Sequence, residues 1–88
     1  MSQGVIHTVQ PLIKFARATI PSVTIGSGGY TDIGSYRPEG HTIINTIIVT
    51  WSQNSKQDAF GVNKFGNYVF GTAGATITNL QLEYWYTD

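Results

Sequence analysis

The chain has 88 residues and a mass of 9.6 kDa, with five Lys plus Arg, five Asp plus Glu, two His and no Cys. A formal net charge of zero and 11% charged residues exclude the basic surface that nucleic-acid binders use to neutralise phosphates. The composition excludes disulfides and leaves too few ligands for a structural zinc site, so we expect no metal and no cofactor. A domain this small gains stability from association, which makes a homo-oligomer the expected state.

Strand-forming residues dominate the chain, with ten Ile, six Val and eleven Thr, and Gly and Asn interrupt them at short intervals. This pattern predicts an all-β fold, a small antiparallel β-sandwich of jelly-roll-like form. We expect residues 1–11 to be a tether or a swapped strand and residues 12–88 to form a single domain. The predicted strands are residues 12–19, 22–25, 30–33, 42–51, 59–62, 68–70 and 76–86. Between two of them, the run Lys-Phe-Gly-Asn at 64–67 predicts a hairpin turn in which Gly66 or Asn67 has a positive φ.

The long predicted strand at residues 42–51 is apolar on both faces, yet it is too short and too interrupted to span a membrane. Its odd positions form one apolar face: Ile43, Ile47, Val49 and Trp51. Ile44 and Ile48 lie on the other face and, with Trp85, predict a subunit interface. The alternative is an outer face with a few scattered apolar groups.

The last predicted strand changes phase along its length. One face carries Leu80, Leu82, Tyr84 and Tyr86. Ile77 falls out of phase with that face, which predicts a bulge near Thr78 and Asn79.

The polar residues indicate binding and no catalysis. The spacing of the five carboxylates pairs none of them, and no Gly-x-Ser-x-Gly nucleophile motif is present, so we predict no catalytic residue and no enzyme. Two polar segments beside aromatics, residues 35–41 and 51–58, have the mixture that suits sugars. The candidate ligand-binding residues are Tyr36, Arg37, His41, Trp51, Gln53, Asn54 and Asp58. The alternative is that these segments are polar only because surface loops generally are, and that Trp51 belongs to the core.

Several runs carry a resemblance to a known family: SVTIGSGGYTDIG at 22–34, PEGHTII at 38–44, VTW at 49–51, and the ending YVFGTAGATITNLQLEYWY at 68–86. Together they resemble the small C-terminal receptor-binding or tip modules of phage tail-fibre and baseplate proteins, over roughly residues 20 to 88. The resemblance implies a β-sandwich at the end of a homotrimer that recognises a host cell-surface glycan. It also implies a place in the virion tail after synthesis in the bacterial cytoplasm. No binding residue carries over, because such modules differ most in their loops.

One departure from that family is that such modules follow a long fibrous chain, whereas only about twenty residues precede this one. An excised domain or a short stand-alone protein would both fit. Three alternatives to receptor binding therefore remain: a structural cap that trimerises a fibre, a stand-alone carbohydrate-binding module, and a small hydrolase of surface polysaccharide.

Overall fold

The fold is taken from a computed structural model that describes residues 12–87, and it consists of two antiparallel sheets. The strands are β1 (Lys14–Thr24), β2 (Tyr30–Asp32), β3 (Thr42–Thr50), β4 (Gln53–Asn54), β5 (Gly61–Val62), β6 (Tyr68–Phe70) and β7 (Thr76–Thr87). The first sheet has the order β1-β7-β3, with β4 also paired to β7, and the second has the order β2-β6-β5. The predicted all-β antiparallel fold is confirmed, while the predicted tether at 1–11 lies outside the described residues.

The core consists of side chains from both sheets and from the loops that join them. β7 contributes more of it than any other strand, because this strand lies between β1 and β3 and has neighbours on both sides. The buried apolar residues are Ile20, Val23, Ile25, Ile33, Ile43, Val69, Ala75, Ile77, Leu80, Leu82 and Tyr84. Burial of such aliphatic side chains is the main source of stability in a domain without disulfides.

A single strand, β1, replaces the two strands predicted at 12–19 and 22–25. The predicted break between these strands spans residues 20 and 21 and includes Pro21, which has no N–H to donate. In the structure, Ile20 pairs with Leu80 and Ser22 with Thr78, so pairing resumes at once after Pro21. Within the described residues β1 is an edge strand that pairs with β7 alone, and edge strands tolerate Pro.

The predicted phase change in the last strand is present. Ile77 and Leu80 are three residues apart and both fully buried, and Asn79 between them has a φ of 52°. The register with β1 is the same on both sides of this point, where Ile20 pairs with Leu80 and Val23 with Ile77. The predicted bulge near Thr78 and Asn79 is therefore absent from the pairing with β1: the two strands change face together, and neither contains an extra residue relative to the other.

The predicted faces of β3 are wrong beyond Ile43. Its pairing with β7 shifts between Ile43 and Asn45 and again between Ile48 and Thr50. Each irregularity inserts a residue into the alternation, and such an insertion moves the following side chains to the opposite face. Ile48, expected on the interface face, therefore lies opposite Leu82 and packs against the core, whereas Ile47 is partly exposed.

The hairpin between β5 and β6 has the predicted turn. Gly66 has a φ of 71° and donates its N–H to the carbonyl of Asn63 at 3.0 Å. The Asn63 side-chain oxygen accepts the N–H groups of Asn67 at 2.8 Å and Tyr68 at 2.9 Å. Gly66 is buried against the ring of Tyr84, so the turn is fixed by the core as well as by its own hydrogen bonds.

Candidate functional site

A pocket of about 340 Å³ opens at the surface where β3 ends and β4 begins. It is lined by Trp51, Ser52, Gln53, Asn54, Gln57 and Asp58. Four of the seven predicted ligand-binding residues are among them: Trp51, Gln53, Asn54 and Asp58. The second predicted segment, 51–58, thus folds back on itself and presents most of its side chains to one concave site.

Backbone pairing with β7 positions the floor of this pocket. Ser52 donates its N–H to the carbonyl of Thr78 at 2.9 Å, and Ser55 donates to the carbonyl of Thr76 at 3.0 Å. The Ser55 hydroxyl accepts the N–H of Thr76 at 2.9 Å. The sequence did not predict β4, because its residues are polar and it is held by the neighbouring strand without apolar alternation of its own.

A tight turn closes the other side of the pocket. Gln57 donates its N–H to the carbonyl of Asn54 at 3.0 Å and has a φ of 54°, in the left-handed region. The Asn54 side-chain oxygen accepts the N–H of Lys56 at 3.2 Å, and its amide nitrogen donates to the backbone carbonyl of Asp58. These bonds within the segment hold the turn in place.

Trp51 provides the apolar wall. Its side chain is 47% exposed and meets the ring of Phe60 edge-on, with centroids 5.0 Å apart and an angle of 82° between the planes. Of the two alternatives for Trp51, the structure therefore favours a surface position over burial in the core. An indole that is packed against one ring and nearly half exposed can receive a flat apolar surface.

Three polar groups in the pocket have hydrogen-bonding capacity to spare. Among residues 12–87, the side-chain amides of Gln53 and Gln57 form no hydrogen bond. Asp58 accepts the Thr72 hydroxyl on Oδ2 at 3.0 Å, which leaves Oδ1 for another donor. The pocket therefore combines one aromatic surface with two amides and a carboxylate.

The other three predicted residues lie at the opposite end of β3. Tyr36, Arg37 and His41 precede this nine-residue strand and Trp51 follows it. At about 3.3 Å per residue the strand separates the two groups by roughly 26 Å. The two predicted segments cannot contribute to a single small pocket.

Arg37 and His41 contact the fold itself. Arg37 is half-buried and donates from Nη1 to the Asn67 side-chain oxygen at 2.7 Å, which ties its loop to the β5–β6 hairpin. The ring of His41 lies 4.5 Å from that of Tyr86. Tyr36 ends a short 3-10 helix (Gly34–Tyr36) and is 38% exposed.

Behind Arg37 lies the buried hydroxyl of Tyr84. Among the described residues this hydroxyl has no hydrogen-bond partner. Burial raises the pKa of Tyr84, and the nearby positive charge of Arg37 opposes the rise to a smaller extent. This end of the molecule therefore holds a part-buried polar contact beside the core.

A second exposed feature is the outer face of the first sheet, defined here by Phe15, Arg17, Ile47, Glu83 and Trp85. Phe15 is 59% exposed and pairs across the strands with Trp85, their rings edge-to-face at 5.6 Å. Glu83 accepts the indole N–H of Trp85 at 2.9 Å and the Nε–H of Arg17 at 3.0 Å, and these two bonds lower its pKa. The outer face thus has an aromatic pair at one end, and next to that pair lie Arg17 and Glu83, whose opposite charges neutralise each other.

Of the predicted interface residues, this outer face includes Trp85 alone. Ile48 packs on the core, and Ile44 lies at the first irregularity of β3, where it is half-buried. The sequence analysis did not single out Phe15 or Ile47. A register for the strand pairing could have identified Phe15, because it lies directly opposite Trp85.

Comparison with protein-family models, curated proteins and solved structures finds no match to this chain. The resemblance to phage tail modules therefore stays a prediction. Within residues 12–87, no helix has the length and apolar character needed to cross a membrane, and no three His, Asp or Glu side chains cluster where they could hold a metal ion.

Proposed function

We propose that the protein is a saccharide-binding module and that the sugar binds in the pocket beside Trp51. One observation carries the proposal: four residues chosen from the sequence for their suitability to sugars line the same pocket. Together they offer a half-exposed indole next to amide and carboxylate groups with free hydrogen-bonding capacity.

The chemistry of the pocket matches the two sides of a sugar ring. The C–H groups of a pyranose form an apolar face that packs on an indole, and its hydroxyls both donate and accept hydrogen bonds. The amides of Gln53 and Gln57 can satisfy both roles, and Asp58 can accept from a hydroxyl. Because the backbone of the site is held by bonds to β7 and within its own turn, binding need not order the backbone and the ordering cost is confined to side chains such as Gln53 and Gln57.

Binding without hydrolysis is the better match to the pocket. Glycoside hydrolysis uses a pair of carboxyl groups across the scissile bond, and Asp58 is the one carboxylate among the lining residues. The proposed role is therefore recognition of a glycan.

We propose that the module acts at the tip of a phage tail structure, as a homotrimer that attaches the virion to a host cell-surface glycan. The resemblance described above supports the location. The aromatic pair formed by the exposed Phe15 and the half-buried Trp85 supports association, since a small domain with a large exposed apolar group gains stability by covering it. A purely structural trimerisation domain is the second candidate, and the same outer face favours it.

Two tryptophan variants distinguish binding from assembly. Trp51→Ala is expected to abolish glycan binding in an array of bacterial surface glycans while leaving the solution mass unchanged. Trp85→Ala is the matched control on the other surface, and it is expected to retain the pocket but to reduce the mass measured by light scattering. Circular dichroism verifies that both variants fold.

The outcomes separate the candidates. If the wild-type protein binds no glycan but has three times the mass of the 9.6 kDa chain, the structural role replaces receptor binding. A monomer at every concentration that still binds glycans through Trp51 would instead indicate a stand-alone carbohydrate-binding module. Glycan binding that survives Trp51→Ala would refute the assignment of the pocket.

A further inference from the structure

The pocket beside Trp51 is negatively charged. Its lining includes one ionisable side chain, Asp58, among otherwise uncharged residues. Lys56 lies in the same turn, but it is not part of the lining and its side chain is exposed to solvent. A ligand in the pocket therefore meets a negative charge that no cation among the described lining residues compensates.

Asp58 is also held in position. Its Oδ2 accepts the Thr72 hydroxyl at 3.0 Å, and its backbone carbonyl accepts from the side chain of Asn54. Thr72 lies in the loop between β6 and β7, so this bond joins the pocket turn to a separate part of the chain. The carboxylate cannot easily turn away to relieve repulsion from an approaching anion.

We propose that this pocket selects saccharides by charge, accepting neutral and amino sugars and rejecting acidic sugars such as uronic acids. The inference rests on the proposed saccharide-binding function. The ammonium group of an amino sugar, or a hydroxyl of a neutral one, donates to the available Oδ1 in a charge-assisted hydrogen bond. The carboxylate of an acidic sugar would lie beside Asp58 without a compensating cation, and such a repulsive contact is an effective means of excluding a ligand.

The test compares three pyranoses that differ mainly in charge: glucosamine, glucose and glucuronic acid. Each is titrated into the ¹⁵N-labelled full chain, at a pH where the amine is protonated and the acid ionised, and the indole N–H signal of Trp51 is followed by NMR. We expect glucosamine to bind most tightly. At low ionic strength the affinity for glucuronic acid should be lower than that for glucose by a factor of about five or more, and added salt should reduce this difference.

Asp58→Asn identifies the source of the selectivity. The asparagine oxygen can still accept from Thr72, so the turn is preserved while the charge is removed, and the amide spectrum verifies this. In this variant the three sugars should bind with similar affinity. Lys56→Gln is the matched control in the same turn and should keep the wild-type order of affinities.

The possible failures are distinct. If glucuronic acid binds as tightly as glucose, or Asp58→Asn leaves the order unchanged, selection by charge is overturned while the saccharide-binding function stands. If none of the three sugars, nor an oligosaccharide of any of them, shifts the Trp51 signal, both proposals are overturned together.

Discussion

Replacement of Gly66 by Ala is expected to be among the most damaging small changes that this chain can suffer. Gly66 has a φ of 71°, and a Cβ at this position would lie 2.4 Å from Cε1 of Tyr84 and 2.8 Å from the Thr46 hydroxyl. Both contacts are shorter than real Cβ atoms make. Neither neighbour can easily move, because Tyr84 is fully buried and Thr46 is 7% exposed.

Two costs add at this position. A left-handed conformation costs an L-residue about 1 to 2 kcal/mol relative to Gly, and overpacking a filled core costs about 1 to 3 kcal/mol more. The expected loss in the free energy of unfolding is therefore about 2 to 5 kcal/mol. A domain of this length has about 4 to 13 kcal/mol in total, so the variant loses a large part of its stability.

Gly40→Ala is the matched control. Gly40 has a φ of 73°, yet a Cβ there would meet nothing within 4 Å, so this variant incurs the backbone cost alone. Urea unfolding of both variants, followed by tryptophan fluorescence, gives the steric cost at Gly66 as the difference between them, about 1 to 3 kcal/mol. Equal losses in the two variants would show that the close packing of the hairpin on Tyr84 is wrong.

Three further predictions concern the same framework. Burial raises the pKa of Tyr84 in the folded state, so the unfolded state deprotonates first and the free energy of unfolding falls as the pH rises above about 10. Tyr84→Phe should therefore lose less stability than the wild type between pH 8 and pH 11. Chemical unfolding at the two pH values measures the difference, with the surface variant Tyr36→Phe as control. Arg37→Ala should lower the free energy of unfolding by about 1.5 to 3 kcal/mol through loss of its bond to Asn67, whereas Lys64→Ala at the exposed hairpin should change it little. Similar values for the two variants would show that the bond from Arg37 does not stabilise the fold. Asn79→Ala and Asn79→Gly both lose the side-chain bond to Ser52, but only Gly adopts the φ of 52° without strain. Thermal unfolding should therefore show that Asn79→Ala is less stable than Asn79→Gly by about 1 to 2 kcal/mol.

The sequence predicted the fold class because the strands follow simple local patterns. Residues 68–70 form the predicted strand without change, and the run at 64–67 forms the predicted turn with Gly66 in the left-handed region. The phase change near Asn79 was visible as well, since Ile77 cannot share a face with Leu80 in a regular strand. Each of these signals lies within a few neighbouring residues.

The errors arose where the partner strand decides the outcome. Alternation alone placed Ile48 on the face away from the core, but the irregularity between Ile43 and Asn45 in the pairing of β3 with β7 returns it to the inside. β4 exists because β7 offers it carbonyl and N–H groups, a cause that its polar sequence does not reveal. Of the candidate site residues, those in one continuous segment came together, whereas Tyr36, Arg37 and His41 lie at the far end of β3, whose length separates them from Trp51.

The turn that closes the pocket beside Trp51 has a consequence for how the protein can change. Its shape depends on backbone hydrogen bonds to β7 and on Asn54, while Gln53 and Gln57 bond to no other side chain in the described part of the chain. Substitutions at these two positions would alter what the pocket contacts without disturbing the core. A lineage under pressure from a changing ligand could therefore explore new specificities at little cost in folding, and an engineer could randomise the same two positions to build a library of binders on this framework.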